Sequence, residues 1–320
     1  MRINTIYHGN CKDVLKELDS DSVNCVVTSP PYWGLRDYGV DDQIGLEKTP
    51  EEYVQKLVDI FREVKRVLRK DSTVWLNLGD CYNGSGGAGS IEYYKEKHTQ
   101  FNKPSRNPGR YQPPKKIYSL KPKDLVGIPW RVAFALQADG WYLRQDIIWH
   151  KRNPMPESVT DRCTKSHEYI FLLSKSAKYY YDADAIREPY TEPLDRWGGD
   201  HKRNPQNEKF DINEMANANS LARERDMRPN KEGRNKRSVW TVNTKPFSEA
   251  HFAVFPGKLI EDCIKAGCPI GGIVLDPFIG SGTTGIVARK QDKNYIGIEL
   301  NKEYVKMAQN RISKELGLFE

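Results

Sequence analysis

A chain of 320 residues is long enough for one large α/β domain carrying insertions, or for two modest domains. An aromatic content of 11% and a mean hydropathy of -0.73 describe a polar chain that is still too rich in Trp and Tyr to be mostly disordered. The net charge of +7 is concentrated: nine Lys or Arg and one acid, Glu96, lie between Tyr93 and Lys123, which leaves the remainder at 7 − 8 = −1. No apolar run approaches the roughly 18 residues of a membrane span. The opening Met1-Arg2-Ile3-Asn4 lacks the apolar stretch of a signal peptide. A cytoplasmic protein without membrane contact is expected. The cysteines at 11, 25, 81, 163, 263 and 268 show neither CxxC spacing nor a His at metal-like spacing. Idle or buried thiols are expected, with no disulfide framework and no metal site.

In chain order, Val23-Asn24-Cys25-Val26-Val27 reads as a short buried strand that stops at Pro30-Pro31. Pro50 and Glu51 open a long amphipathic helix with Val54, Leu57, Val58, Phe61, Val64 and Leu68 on one face. Thr73–Leu78 is the next strand and runs into Gly79-Asp80. From Asn83 to about Leu120 periodicity is lost in a stretch that is Gly-rich and then basic, an insertion longer than ordinary connections. A helix near Val126–Ala138 and strands over Gln145–Trp149 and Glu168–Leu173 follow. From about Ile186 to Ser238 the chain is again polar and irregular, and Arg223–Arg237 carries seven basic and three acidic residues.

The end of the chain has the clearest pattern. Strand Ile273–Leu275, a loop from Asp276 to Thr284, a helix to about Lys290, strand Tyr295–Glu299 and a final helix from Lys302 to Leu316 make one βαβ unit with an appended helix. Such units alternate along the chain, so the expected fold is α/β: a mostly parallel, Rossmann-like sheet with helices on both faces, interrupted by irregular segments. Residues 1–185 then form one half of the domain, with the basic insertion near 83–120. Residues 186–240 form an irregular region, and 241–320 the second half. Gly280 and Gly282 let a ligand approach the backbone of the loop. Glu299, 19 residues beyond Gly280, is placed to accept hydrogen bonds from ribose hydroxyls. The loop is neither GxGxxG nor a P-loop, and Asp276 at its start suits a cationic ligand better than a pyrophosphate.

Two motifs carry a family resemblance. Asp276-Pro277-Phe278-Ile279-Gly280-Ser281-Gly282-Thr283-Thr284 resembles the S-adenosylmethionine (AdoMet) binding motif of amino-methylating DNA methyltransferases, and Val27-Thr28-Ser29-Pro30-Pro31-Tyr32 resembles their catalytic motif. The catalytic motif comes first, which resembles the β group of these enzymes, where the target-recognition region lies between the two. His251–Pro256 resembles the segment that closes the pocket around methionine, and Trp149–Asn153 and Ser166–Tyr169 resemble further family segments. The resemblance implies S-adenosylmethionine as cofactor, held by Asp276, Phe278, Gly280, Ser281, Gly282, Thr283, Thr284 and Glu299 together with Thr28, Phe252 and Phe255. It implies Ser29, Pro30, Pro31 and Tyr32 as the catalytic set.

The implied chemistry suits these residues. An exocyclic amino nitrogen is a poor nucleophile because its lone pair is delocalised into the ring. Acceptors aimed at its two hydrogens, the Ser29 hydroxyl and the Pro30 carbonyl, would favour a pyramidal nitrogen, and the prolines preorganise them. Tyr32 and Trp33 are expected to stack on a base flipped out of the duplex. In the family Asp-Pro-Pro-Tyr is commonly linked to adenine N6 and Ser-Pro-Pro-Tyr to cytosine N4, so Ser29 implies cytosine N4, with adenine N6 as the alternative. Methylation at cytosine C5 would need the nucleophile of a Pro-Cys dipeptide, which the chain lacks.

The implied partner is double-stranded DNA; a homodimer and a cognate restriction endonuclease stay open. Lys103, Arg106, Arg110, Lys115 and Lys116, interleaved with tyrosines, fit a backbone-tracking arm. Arg223, Arg225, Arg234, Lys236 and Arg237 occupy the place of the target-recognition region. Two other readings compete. A non-catalytic DNA-binding protein on the same fold is opposed by the intact loop and motif. Methylation of RNA or of a protein glutamine, for which related enzymes use Asn-Pro-Pro-Tyr, is opposed by Ser29 and the basic insertions.

Overall fold

The computed structural model describes residues 1–35, 39–83, 120–190, 230, 232–244 and 255–317. They fall into a larger unit, Met1–Asp182 with Ser238–Glu320, and a smaller one, Ala183–Arg237.

The larger unit is built on a sheet of eight strands: β1 (Thr5–His8), β2 (Val23–Thr28), β3 (Leu68–Leu78), β4 (Tyr142–His150), β5 (His167–Ser174), β6 (Val239–Thr241), β7 (Ile273–Asp276) and β8 (Asn294–Glu299). Their spatial order is β1-β8-β7-β2-β3-β5-β4-β6. Only β5 runs against the others, pairing antiparallel with both β3 and β4. The sheet is therefore mostly parallel, and its central strands are buried hydrophobic runs, as strands covered on both faces must be.

Among the described residues six helices cover it: α1 (Cys11–Glu17), α2 (Pro50–Val67), α3 (Ile128–Ala138), α4 (Gly257–Gly267), α5 (Thr283–Arg289) and α6 (Lys302–Glu315). Helix α2 packs between α1 and α3, and α5 between α4 and α6, so three helices lie on each face. Helix α2 begins where its sequence dictates. Thr49 accepts from the Glu52 amide at 3.2 Å, Glu52 accepts from the Lys48 amide at 2.9 Å, and Pro50 takes a first-turn position where no amide hydrogen is needed. Its inner face buries Tyr53, Leu57, Phe61 and Val64 completely. No helix among the described residues is long and apolar enough to cross a membrane.

The parallel part of the sheet winds in two directions. From β7 the chain passes through α5 to β8 on one side; from β2 it passes through α2 to β3 on the other. Strands β7 and β2 are neighbours, with Val26 opposite Leu275. The crevice between their carboxyl ends is thus the switch point at which open α/β sheets bind ligands.

In the smaller unit, Glu188 and Arg234 form an antiparallel bridge, and Arg187 donates to the Gly233 carbonyl at 3.1 Å.

Candidate active site

Thr28 ends β2 and Asp276 ends β7, so strand pairing alone brings the two motifs together. The Thr28 hydroxyl donates to Asp276 Oδ1 at 2.7 Å, the Thr284 hydroxyl to Oδ2 at 2.6 Å, and the Phe278 amide to Oδ1 at 3.1 Å. Asp276 is 1% exposed. Burial pushes its carboxyl up to about 6 although all three bonds favour the charged form. Asp276, Thr28 and Thr284 therefore clamp the segments that follow β2 and β7 to one another.

Above the clamp the loop turns on Gly280 (φ 49°) and Gly282 (φ 83°). These left-handed conformations are open to glycine at little steric cost. A side chain at Gly282 would also crowd Ile312 of α6 at 3.1 Å. The Gly280 amide donates to Glu299 Oε2 at 3.1 Å, and the Asn301 amide to Oε1 at 2.8 Å. Burial raises the Glu299 carboxyl above its ordinary range. Arg311 donates to the Ser281 carbonyl, the Ser281 hydroxyl and Thr283 Oγ1 at 2.9–3.0 Å, which ties α6 to the loop.

One cavity of about 480 Å³ runs over this crevice. Phe278, Gly280, Ser281, Thr283, Glu299 and Phe255 line it, as do Ser29, Pro30, Pro31 and Tyr32. Most of the residues expected at the site are thereby gathered in one wall. Gly282, as the cap of α5, lies outside that wall with the three clamp residues. Phe252, Lys103, Arg106, Arg110, Lys115, Lys116, Arg223 and Arg225 lie outside the described residues. Arg234, Lys236 and Arg237 belong to the smaller unit, where the guanidinium groups of Arg234 and Arg237 meet Glu188 at 3.4 and 2.9 Å.

Other wall residues escaped the sequence reading. Gly9, Asn10 and Cys11 follow β1, and Asn10 caps α1 by accepting from the Lys12 amide at 3.0 Å. The signal was present as Gly-Asn after a short alternating strand. Leu300, Asn301, Tyr304 and Met307 lead into and along α6. Glu168, on β5, stands at the same end as Tyr32.

At that end Tyr32 is held from several sides. Its hydroxyl lies 2.8 Å from Glu168 Oε2 and 2.9 Å from Asn77 Oδ1, with its one hydrogen available to either, and it accepts from the Ser29 hydroxyl at 3.3 Å. Lys151 pairs with the other oxygen of Glu168, and its ammonium lies 4.4 Å from the centre of the Trp149 ring. Burial, then the Glu168 charge, raises the Tyr32 hydroxyl well above the ordinary tyrosine range, so it stays protonated. The ring rests on Gly79, where a methyl group would come within 2.5 Å of Cε2. The Tyr53 hydroxyl donates to the Pro31 carbonyl at 2.9 Å and fixes the double-proline turn from below.

Trp33 is not available to stack on a base. It is 1% exposed, donates its indole N–H to the Glu47 carbonyl at 3.1 Å and belongs to the core. The six cysteines form no disulfide with one another; five are buried and Cys163 is exposed. Cys11 borders the cavity, but burial pushes its thiol up to about 12, so no thiolate nucleophile is on offer there.

The cavity fits the cofactor that the sequence implied. Its volume is that of a small-molecule site. Each Glu299 oxygen that takes a backbone hydrogen bond keeps acceptor capacity for a ribose hydroxyl. Ile279, Ile298 and Leu300 offer apolar surface to an adenine ring. A Cβ built on Gly280 would meet only the Phe278 carbonyl oxygen, at 3.9 Å, so the backbone there is open to close approach.

Comparison with known proteins identifies the family and the fold. A family model described as DNA methylase matches residues 23–310. The Type II methyltransferase M.Cfr9I of Citrobacter freundii is 48% identical over 314 residues, spanning 97% of this chain and 88% of its own. The solved PvuII DNA methyltransferase, described as cytosine-N4-specific, matches with a TM-score of 0.60 at 17% identity, over 98% of this chain and 90% of that one. TTHA0409 of Thermus thermophilus, solved with S-adenosyl-L-methionine, matches with a TM-score of 0.57 at 22% identity, over 98% and 97%. At those identities the two structures speak for the fold.

Proposed function

The chain belongs to the DNA methylase family of N6/N4 methyltransferases, and on that premise we propose that it methylates the exocyclic N4 of a cytosine flipped out of duplex DNA, using S-adenosylmethionine. The observation that carries this reading is the Thr28–Asp276 clamp, which sets Ser29 and the cofactor loop into one cavity. Glu299, Gly280, Ser281, Phe278 and Phe255 would hold the cofactor from that wall, while Asp276 and Thr284 act by fixing the loop. When bound, S-adenosylmethionine supplies a methyl group on a positively charged sulfur, the electrophile for an amino nitrogen.

The chain's own part is orientation and hydrogen bonding. Ser29 Oγ and the Pro30 carbonyl accept from the two amino hydrogens and bias the lone pair out of the ring. The Tyr53 bond to Pro31 and the Glu168 bond to Tyr32 hold that turn rigid. Tyr32 offers its ring to the flipped base. Ser in the first motif position supports cytosine over adenine. Residues 186–240 read the target sequence, and the basic insertion near 83–120 follows the phosphate backbone. The Type II names of the relatives support a place in restriction–modification beside a cognate endonuclease.

Long-read sequencing of DNA from cells expressing the protein tests the function as a whole. It should report a modified cytosine in one short sequence; unmodified DNA would refute the reading. Ser29→Ala should lower single-turnover transfer by about 100-fold or more, the scale of losing one preorganised polar group, with cofactor binding by calorimetry unchanged. Near-normal turnover would remove Ser29 from its role.

A further inference from the structure

The connection between β4 and β5, residues 151–166, carries an apolar side chain where water would be expected to reject it. Met155 is 85% exposed, yet it borders the same cavity as Ser29, Tyr32 and Glu168. A single exposed apolar residue on a loose loop needs no explanation. This loop is not loose. The Lys151 amide closes its base on the Ser166 carbonyl at 2.8 Å. Asn153 exchanges a pair of hydrogen bonds with the backbone of Thr244, at 3.1 and 3.0 Å. Arg162 pairs with Glu157 at 2.5 Å and lies 4.0 Å from the centre of the Tyr82 ring, and Lys123 holds Asp161 at 2.6 Å. Pro154 and Pro156 fix φ on either side of Met155 itself. A braced loop thus presents an unbranched, polarizable side chain at the mouth of the catalytic end, with the exposed Arg152 three residues before it in the chain.

Resting on the reading that the cavity takes a flipped base, we propose that Met155 is a substrate-contacting residue that closes the cavity over the target base, its thioether packed against the base ring. Methionine suits the task. It loses no hydrogen bond on being covered, it adapts its shape to a flat ring, and sulfur–aromatic contact is favourable. The Lys151–Glu168 pair and the Asn153 bonds hold its loop in register with Tyr32.

The test uses the full-length protein, a duplex substrate carrying pyrrolocytosine at the target position, and the variants Met155→Ala and Met155→Leu. Met155→Ala should lower single-turnover kcat/KM on unlabelled duplex by about tenfold, the upper range for one sulfur–aromatic contact. It should also reduce the fluorescence rise of the target base on binding. The Kd for S-adenosylmethionine should stay within about twofold, since that end of the cavity is untouched. Met155→Leu should recover most of both losses. Wild-type rates and fluorescence in Met155→Ala would overturn the proposal. So would rescue of Met155→Ala by an abasic site opposite the target, which would mean that the side chain fills the gap left in the helix. If the wild type itself transferred no methyl group to DNA, the function reading would fail, a result distinct from either outcome.

Discussion

Asp276 accepts three hydrogen bonds and still titrates high, because burial outweighs them. Its folded value of about 6 lies above the unfolded 3.8, so between these values the folded protein holds the proton more tightly. The contribution of this group to stability is greatest below about pH 4 and falls by about 3 kcal/mol as pH rises to about 6. Asp276→Asn keeps an acceptor for Thr28 and the Phe278 amide but cannot ionise. Urea unfolding of the variant across that window should lack the fall seen in the parent protein, and parallel curves for the two would show that the carboxyl is not strained by burial. Gly79 offers a second test at this scale. Gly79→Ala places a methyl 2.5 Å from the Tyr32 ring, so the ring must leave Asn77 and Glu168. Methyl transfer should fall by at least about tenfold, as small displacements at an active site do, while cofactor affinity persists. Equal loss of both would mean that the loop as a whole had moved.

At the scale of elements, the link between β2 and β7 is the feature on which the site depends. Thr28→Val removes a hydroxyl donor from a buried carboxylate and should cost about 1–3 kcal/mol in stability. It should weaken S-adenosylmethionine binding in calorimetry as well, because the loop is anchored through the same carboxylate; a loss of stability alone would confine Thr28 to structural work. Both of these strands were legible in the sequence, as were α2, β8 and α6, because each is a long or strongly patterned run bounded by Pro, Gly or an acid. Strands β1 and β6 were not. β6 has three residues and exists as a strand through its pairing with β4 at Ile148–His150. Helix α1 has seven residues, about the length at which periodicity carries no signal. β3 begins at Leu68, five residues earlier than its apolar run suggests, since pairing with Val23 extends it through the polar Arg69–Ser72. Trp33 shows the same limit at the site: a Trp next to Tyr32 reads as a second stacking residue, and only its bond to the Glu47 carbonyl reveals a core residue.

For the molecule as a whole, the strand order β8-β7-β2-β3 turns two motifs 248 residues apart, measured from Thr28 to Asp276, into neighbours at one switch point. The sequence supplied both motifs but not their adjacency, which is a property of the sheet. Glu168 and Met155 border the same cavity as Ser29 and Tyr32, from β5 and the loop before it. Glu168 stands in a segment that carries the family resemblance, but its contact with Tyr32 depends on the pairing of β5 with β3, and Met155 stands in no quoted motif. What the assembled cavity does to DNA is tested most directly by incubating the purified protein with unmodified duplex DNA and S-adenosylmethionine, digesting to nucleosides and identifying the product by mass spectrometry. N4-methylcytosine is the expected methylated nucleoside; N6-methyladenine in its place would contradict the assignment of cytosine as the target.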